Sequence, residues 1–108
     1  NLNMNAMDIE VIRPETPLLP SAAEAPEMVF RLSNPDLQVS TMKCYIPGQE
    51  PVVPEVVDQD KGIYRVQAQN PLQGRRSKYT LTAQDKDNRW YWFSQPWVNP
   101  AVEENYRE

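Results

Sequence analysis

The sequence contains no histidine and only one cysteine, and these two scarcities remove whole classes of chemistry. Without histidine, the chain lacks the usual general base near neutral pH and the commonest zinc ligand. One cysteine cannot form an internal disulfide or a thiolate metal site. We therefore expect a protein that is not an enzyme and that uses no metal and no cofactor.

Basic charge and long apolar runs are scarce as well. Eleven lysines and arginines stand against fifteen acidic residues, and the net charge of −4 has the wrong sign for binding a nucleic acid backbone. No apolar run approaches the roughly 20 residues of a membrane-spanning helix, and the first residues carry no signal segment. We expect no nucleic acid partner and no membrane span. We also expect the chain to be either an excised fragment or the mature portion of a longer protein.

Glycine is rare and proline is frequent, with three glycines and eleven prolines in 108 residues. This length suits one compact core, so we predict a single domain over residues 1–108. Four prolines fall within residues 13–26, where they exclude a regular helix or a central strand. We interpret residues 13–26 as a proline-rich connector that follows an N-terminal strand.

Short segments of strand character fill the rest of the chain, each bounded by turn residues. Prolines demote one further segment, residues 51–57, to an edge strand or an extended loop. No window keeps the apolar period of a helix. The pattern predicts an all-β fold, an antiparallel immunoglobulin-like or fibronectin-III-like β-sandwich of about seven strands. The predicted strands cover residues 7–13, 27–32, 37–46, 62–69, 77–84 and 89–98.

Tyr79 lies near the start of the predicted strand over residues 77–84, in which alternate residues, Leu81 and Ala83, are predicted to face the core. In immunoglobulin-like domains a tyrosine at this place bonds back to the preceding turn, so we predict that Tyr79 forms a tyrosine corner. The alternative is that Tyr79 is an ordinary aromatic residue of the strand. Antibody-type domains place a bridging cysteine two residues later, where this chain has Leu81. Cys44 alternates with Met42 and Ile46, which indicates a buried thiol rather than a nucleophile.

Four consecutive aromatic residues, at positions 90–93, open the final strand. Because successive strand side chains point to opposite faces, Trp90 and Trp92 must share one side while Tyr91 and Phe93 share the other. The sequence leaves open which pair points outward. The outward pair needs a cover, which could be the N-terminal strand, a neighbouring domain, a second copy or a sugar ring. Trp97 is a further candidate for binding.

Two weaker patterns have simple explanations. Two Asp-x-Asp pairs, at positions 58–60 and 85–87, could chelate calcium, but their places in turns favour ordinary turn chemistry. A small basic cluster, formed by Arg75, Arg76 and Lys78, could grip an anionic sugar or phosphate, although a solvated loop is the simpler interpretation.

Residues 76–83 (RSKYTLTA) and residues 89–97 (RWYWFSQPW) resemble the end of a small sandwich domain. That domain occurs at the C-terminus of some secreted bacterial polysaccharide deacetylase-like proteins. The resemblance covers about the last 70 residues. It implies a non-catalytic accessory module in a secreted, periplasmic or envelope protein. Several relatives are expected to carry a cysteine where this chain has Leu81, so no bridge from Cys44 to that strand is implied here.

Three functions remain open at this point. The first is an accessory module that contacts the catalytic domain of its parent protein or another protein. The second is a carbohydrate-binding module that stacks tryptophans on polysaccharide rings. The third is an adhesion or assembly module that pairs through a sheet edge. A carboxylate-only glycosidase would need a cleft that a sandwich of this size seldom builds.

Overall fold

The computed structural model describes residues 4–100, and within this range every regular element is a β-strand. The eight strands are β1 (Met4–Ala6), β2 (Ile9–Arg13), β3 (Glu27–Leu32), β4 (Leu37–Tyr45), β5 (Glu55–Asp58), β6 (Ile63–Gln67), β7 (Arg76–Asp85) and β8 (Trp90–Val98). No helix in this described range has the length and apolar character needed to cross a membrane.

The strands form two four-stranded sheets that pack as a sandwich. One sheet, here called the β8 sheet, has the order β1-β8-β7-β4, and the other, the β3 sheet, has the order β2-β3-β6-β5. Neighbouring strands are antiparallel except for β1, which runs parallel to β8. The order β2-β3-β6-β5 corresponds to strands A, B, E and D of an immunoglobulin-type sandwich, and β4, β7 and β8 correspond to C, F and G. The predicted fold class is therefore confirmed.

The N-terminal part of the chain contributes one strand to each sheet. Strand β1 lies along the edge of β8, and β2 then pairs with β3 in the opposite sheet. The proline-rich segment returns to β8, where Val98 donates its N–H to Pro17 O and the N–H of Leu19 donates to Val98 O, both at 2.8 Å. The edge of β8 is thus covered near both of its ends by chain that precedes residue 20.

Alternate residues of the central strands meet between the sheets. Phe30 and Tyr64 pack with ring centroids 5.9 Å apart across the β3–β6 pair. Met42 and Cys44 of β4, with Leu81 and Ala83 of β7, supply the facing layer. Because the neighbours of these residues in sequence point outward, the period-2 pattern predicts both the strands and the core.

Gly62 allows the turn between β5 and β6 to approach β3. Its φ is +70°, and a Cβ added there would lie 2.8 Å from the carbonyl oxygen of Leu32. The N–H of Leu32 donates in turn to Gly62 O at 2.9 Å. A side chain at this position would therefore meet both backbone strain and a steric clash.

Two regions contain elements that the sequence-based prediction did not give, and the ends of other strands shift by one or two residues. The predicted strand over residues 7–13 is β2 (Ile9–Arg13), and β1 precedes it as an additional three-residue strand. The segment over residues 51–57 divides into an isolated bridge at Val52 and the edge strand β5. The short β1 carries no alternation of its own and is defined by its pairing with β8.

Candidate functional site

The aromatic run of β8 divides between the two sides of its sheet, as alternation requires. Tyr91 and Phe93 are half-buried and pack against the core, whereas Trp90 and Trp92 point outward. The outward indoles keep substantial exposure, 37% for Trp90 and 41% for Trp92. The outward pair consequently presents aromatic surface to solvent.

Pairing with β7 decides which aromatic residues face inward. Leu81 lies opposite Phe93 and Ala83 lies opposite Tyr91, and both β7 residues are fully buried. Residues that oppose each other in a sheet share a face, so Phe93 and Tyr91 must follow their partners into the sandwich. Trp92 follows its own partner, Thr82, to the outside.

Strand β1 covers the edge of this aromatic surface and leaves its face open. Met4 lies opposite Trp90 and Ala6 lies opposite Trp92, while Asn5 Nδ2 donates to Trp90 O at 3.2 Å. These contacts satisfy backbone groups at the edge of β8. The N-terminal segment is therefore a partial cover, and Met4 itself remains 41% exposed.

Trp97 lies in the core, which corrects its assignment to a binding surface. It is 1% exposed, and its ring centroid is 4.4 Å from that of Tyr79. Its Nε1 atom has no hydrogen-bond partner among residues 4–100. Trp97 therefore belongs to the packed interior with Tyr91 and Phe93, and the candidate binding aromatics of β8 reduce to Trp90 and Trp92.

Tyr79 is buried as predicted, but it does not form the predicted tyrosine corner. Its hydroxyl donates to Gln95 Oε1 at 3.1 Å, across the β7–β8 pair rather than back to the preceding turn. Burial raises the pKa of Tyr79 well above its usual value. The tyrosine–glutamine pair therefore places a neutral hydrogen bond inside the sandwich.

Cys44 is fully buried and lies opposite Leu81 on the neighbouring strand β7. Its backbone exchanges two hydrogen bonds with Val52, at 2.7 and 2.9 Å. Burial raises the pKa of the Cys44 thiol to about 12. The thiol stays protonated at neutral pH and acts as a small apolar core residue.

Asp85 organises the turn between β7 and β8, and its carboxylate is almost fully buried. It accepts hydrogen bonds from the backbone N–H of Asp87 and Arg89, from Arg89 Nε and from the Tyr91 hydroxyl, at 2.9 to 3.1 Å. Burial alone would raise the pKa of Asp85, but these donors outweigh it and lower the pKa to about 2.

The Asp-x-Asp pair at positions 58–60 also lies in a turn that its own side chain stabilises, because Asp58 Oδ1 accepts the backbone N–H of Lys61 at 3.1 Å. Across the described residues, no three potential metal-ligating side chains cluster together.

Polar and cationic residues surround the two exposed indoles on the outward side of the β8 sheet. Thr82 lies beside Trp92, and the hydroxyls of Thr80 and Ser94 lie 3.2 Å apart in the neighbouring pair. Tyr45, 44% exposed, is opposite Thr80 on β4. We call this outward side the open face. Its members are Met4, Lys43, Tyr45, Arg76, Lys78, Thr80, Thr82, Gln84, Trp90, Trp92 and Ser94.

Of the open-face residues, sequence reasoning identified only four as candidates for binding. They are the indoles Trp90 and Trp92, and Arg76 and Lys78 of the basic cluster. Lys43 and Tyr45 escaped it, although each alternates with the buried Met42 and Cys44 and so had to point outward. Arg75, the remaining member of that cluster, precedes β7 and accepts the N–H of Asn99 at its backbone carbonyl.

A separate concavity lies along the proline-rich segment. It encloses about 680 Å³ between residues 12 and 27, with Leu18, Leu19 and Pro20 among its apolar lining and Glu15 and Glu24 among its charged lining. None of the aromatic residues predicted as binding residues contributes to it. The groove and the open face are therefore different surfaces.

The strand order places the chain in the class of immunoglobulin-type β-sandwiches. One of its sheets exposes two tryptophans, Trp90 and Trp92, on its outward side. Comparison with models of known protein families gave no matching family, and comparison with curated proteins gave no match.

Proposed function

We propose that this chain is a non-catalytic binding module that contacts carbohydrate through the open face. The observation that carries the proposal is the exposure of Trp90 and Trp92 on one side of β8, two residues apart on a regular strand. Residues at that spacing lie about 7 Å apart along a strand. Two indoles so placed offer apolar surfaces on which the apolar faces of sugar rings can stack.

The polar neighbours of the indoles suit the same ligand class. Thr82 places a hydroxyl beside Trp92. The Ser94 hydroxyl donates to Tyr79 O and is bonded to the Thr80 hydroxyl, so these two groups offer acceptor lone pairs to sugar hydroxyls. A protein partner usually meets a surface with a more continuous apolar core. Hydroxyls and isolated indoles in alternation therefore favour a sugar chain as the ligand.

Affinity electrophoresis tests this proposal with the chain as it is. Gels containing an N-acetylglucosamine polymer, a β-glucan or a polyuronate are expected to retard the protein in at least one case. Trp92→Ala should weaken binding about fivefold, since a stacked aromatic ring contributes on the order of 1 kcal/mol. Trp97→Phe changes an indole of the same strand that lies in the core and is the matched control.

Failure of all three polysaccharides to retard the protein would contradict the proposal. Retardation that survives both Trp90→Ala and Trp92→Ala would contradict it equally, because binding would then use another surface.

The proposed setting is an accessory domain of a secreted or envelope carbohydrate-active protein, similar to polysaccharide deacetylase-like proteins. The resemblance of residues 76–83 and 89–97 supports this setting, and both segments belong to strands of the β8 sheet. In the full gene product, a deacetylase barrel adjoining Asn1 would agree with it. An unrelated neighbouring domain would contradict it.

A second function is favoured by one specific observation at the opposite edge. Val56 and Val57 of β5 are each 54% exposed, and β5 is the outer strand of the β3 sheet. Val53, which precedes β5, is 65% exposed. Exposed valines on an edge strand suit pairing with a strand of another chain. Sedimentation equilibrium should then show association that Val56→Lys abolishes, whereas a concentration-independent monomer would reject this function.

A further inference from the structure

The open face carries positive charge although the chain as a whole is negative. Three cationic side chains point outward from this sheet, namely Lys43 on β4 and Arg76 and Lys78 on β7. All three are exposed, and the residue that follows each of them in its strand is less exposed than the cation. Across the outward-facing positions of β1, β8, β7 and β4 there is no aspartate or glutamate. The net charge of the chain is −4, so this local excess of cations reverses the overall sign.

Within residues 4–100, these cations and those of the other sheet differ in their ion pairing. On the outward side of the β3 sheet, Arg13, Arg31 and Arg65 each form an ion pair with a glutamate. Lys43, Arg76 and Lys78, in contrast, form no ion pair with any residue between 4 and 100. No described carboxylate neutralises their charge, so an anionic ligand could pair with it.

The register places one of these cations in line with an exposed indole. Trp92 lies opposite Thr82, and Thr82 lies opposite Lys43, so the three form one row across three strands. Strands lie about 4.8 Å apart, which puts the Cα atoms of Trp92 and Lys43 about 10 Å apart. A sugar ring stacked on the indole would hold a ring substituent within reach of the Lys43 ammonium group.

We infer that the open face selects a carboxylated polysaccharide, in which uronate rings stack on Trp90 and Trp92 while their carboxylates pair with Lys43 and Lys78. This inference rests on the proposed carbohydrate-binding function and names the class of carbohydrate. A uronate carries its carboxylate directly on the ring, so stacking and ion pairing act on one sugar unit. Exposed ammonium groups attract such charges most strongly at low salt.

A single-stranded nucleic acid also combines stacking bases with negative charge. The observations favour the polysaccharide, because the negative net charge of the chain opposes a densely charged phosphate backbone. Hydroxyl residues beside the indoles also match the hydroxyl groups of sugars.

The decisive experiment compares polygalacturonate with the same polymer after reduction of its carboxylates to alcohols. Tryptophan fluorescence of the intact chain reports binding of both polymers. The acidic polymer should bind roughly tenfold more tightly at low salt, the scale expected of two or three exposed charge pairs acting together. Added salt should remove most of this preference.

Charge variants locate the effect. Lys43→Met should weaken binding of the acidic polymer more than binding of the reduced polymer, and so reduce the preference between them. Lys61→Met is the matched control, because Lys61 is an exposed lysine in the turn between β5 and β6. Circular dichroism of each variant should match that of the parent chain.

The outcomes separate this inference from the proposed function. Equal binding of the two polymers would retain carbohydrate binding and overturn the charge selection. Binding of neither polymer would overturn this inference, and if the other polysaccharides also fail, the proposed function falls with it. Tighter binding of a single-stranded oligonucleotide would replace the uronate with a nucleic acid and overturn the inference.

Discussion

The outward sides of the two sheets differ in how their charges are used. On the β3 sheet, Glu27 accepts hydrogen bonds from Arg13 and Arg65, and Arg65 also reaches Glu55. Glu10 pairs with Arg31 at 2.6 Å on the same side. On the open face, aromatic rings, hydroxyls and cations lie together without acidic partners among the outward strand positions. The arginines named on the first face are paired with glutamates, whereas Lys43, Arg76 and Lys78 of the open face form no ion pair within residues 4–100.

The two outward surfaces of this sandwich therefore differ in the pairing of their charged side chains. The outward side of the β3 sheet is here called the paired face. On it, the hydrogen bond from Arg65 is the main cause of the lowered pKa of Glu27, so the Glu27 carboxylate stays charged. Surface ion pairs contribute little to stability individually, and a connected set contributes more. The paired face is therefore a structural surface, and substitutions on the two faces should have different consequences.

The largest expected effect is the loss of stability when the buried tryptophan of β8 is replaced, compared with the loss at an exposed one. Trp97→Ala should lower the free energy of unfolding by about 3–5 kcal/mol, because it leaves a cavity beside Tyr79. Trp92→Ala should cost about 1 kcal/mol, since its indole is already partly in solvent. Urea denaturation measures both values, and equal losses would contradict the division of β8 into two sides.

Trp97→Phe sharpens the same measurement. Because Trp97 Nε1 has no hydrogen-bond partner within the described range, the smaller ring should cost less than Trp97→Ala. A loss as large as that of the alanine variant would show that the indole N–H is needed.

The next effect concerns the turn that holds the open face in register. The folded pKa of Asp85, about 2, lies below the ordinary value of 3.8. Its stabilisation is therefore fully present above pH 3.8 and is lost as the pH falls toward 2. Asp85→Asn should lower stability at neutral pH and flatten the acid dependence between these limits.

Urea unfolding midpoints at several pH values between 2 and 6 test this prediction. Asp87→Asn is the control, because the Asp87 carboxylate is exposed and contacts only the Arg89 side chain. An unchanged acid limb in the Asp85→Asn variant would reject the role of Asp85 in the turn.

The smallest expected effect compares cations of the two faces directly. Arg65→Met should lower the urea midpoint, because it removes donors to Glu27, Glu55 and Gln67. Lys43→Met should leave the midpoint unchanged, because Lys43 has no ion-pair partner among the described residues. A drop in stability for Lys43→Met would show that the open face also uses its charge internally.

Most strands could be predicted from the sequence because their signal is local. The segment over residues 27–32 coincides with β3, and residues 37–46 differ from β4 by one residue. Strand β1 escaped prediction because three residues carry no period, and β1 exists only because β8 offers an edge for it. The tyrosine corner was predicted wrongly because the choice of Gln95 as a hydrogen-bond partner depends on the register of β8.

The sequence by itself determined that the rings at positions 90–93 must divide between two sides, and that histidine and disulfide chemistry are excluded. Alternation along a strand is a property of the local backbone, so it requires no knowledge of the fold. Only the tertiary structure decided that Trp90 and Trp92 point outward, and that Lys43 joins their row. Both sides of this strand segment are aromatic, so the buried Leu81 and Ala83 of the neighbouring strand had to fix the choice.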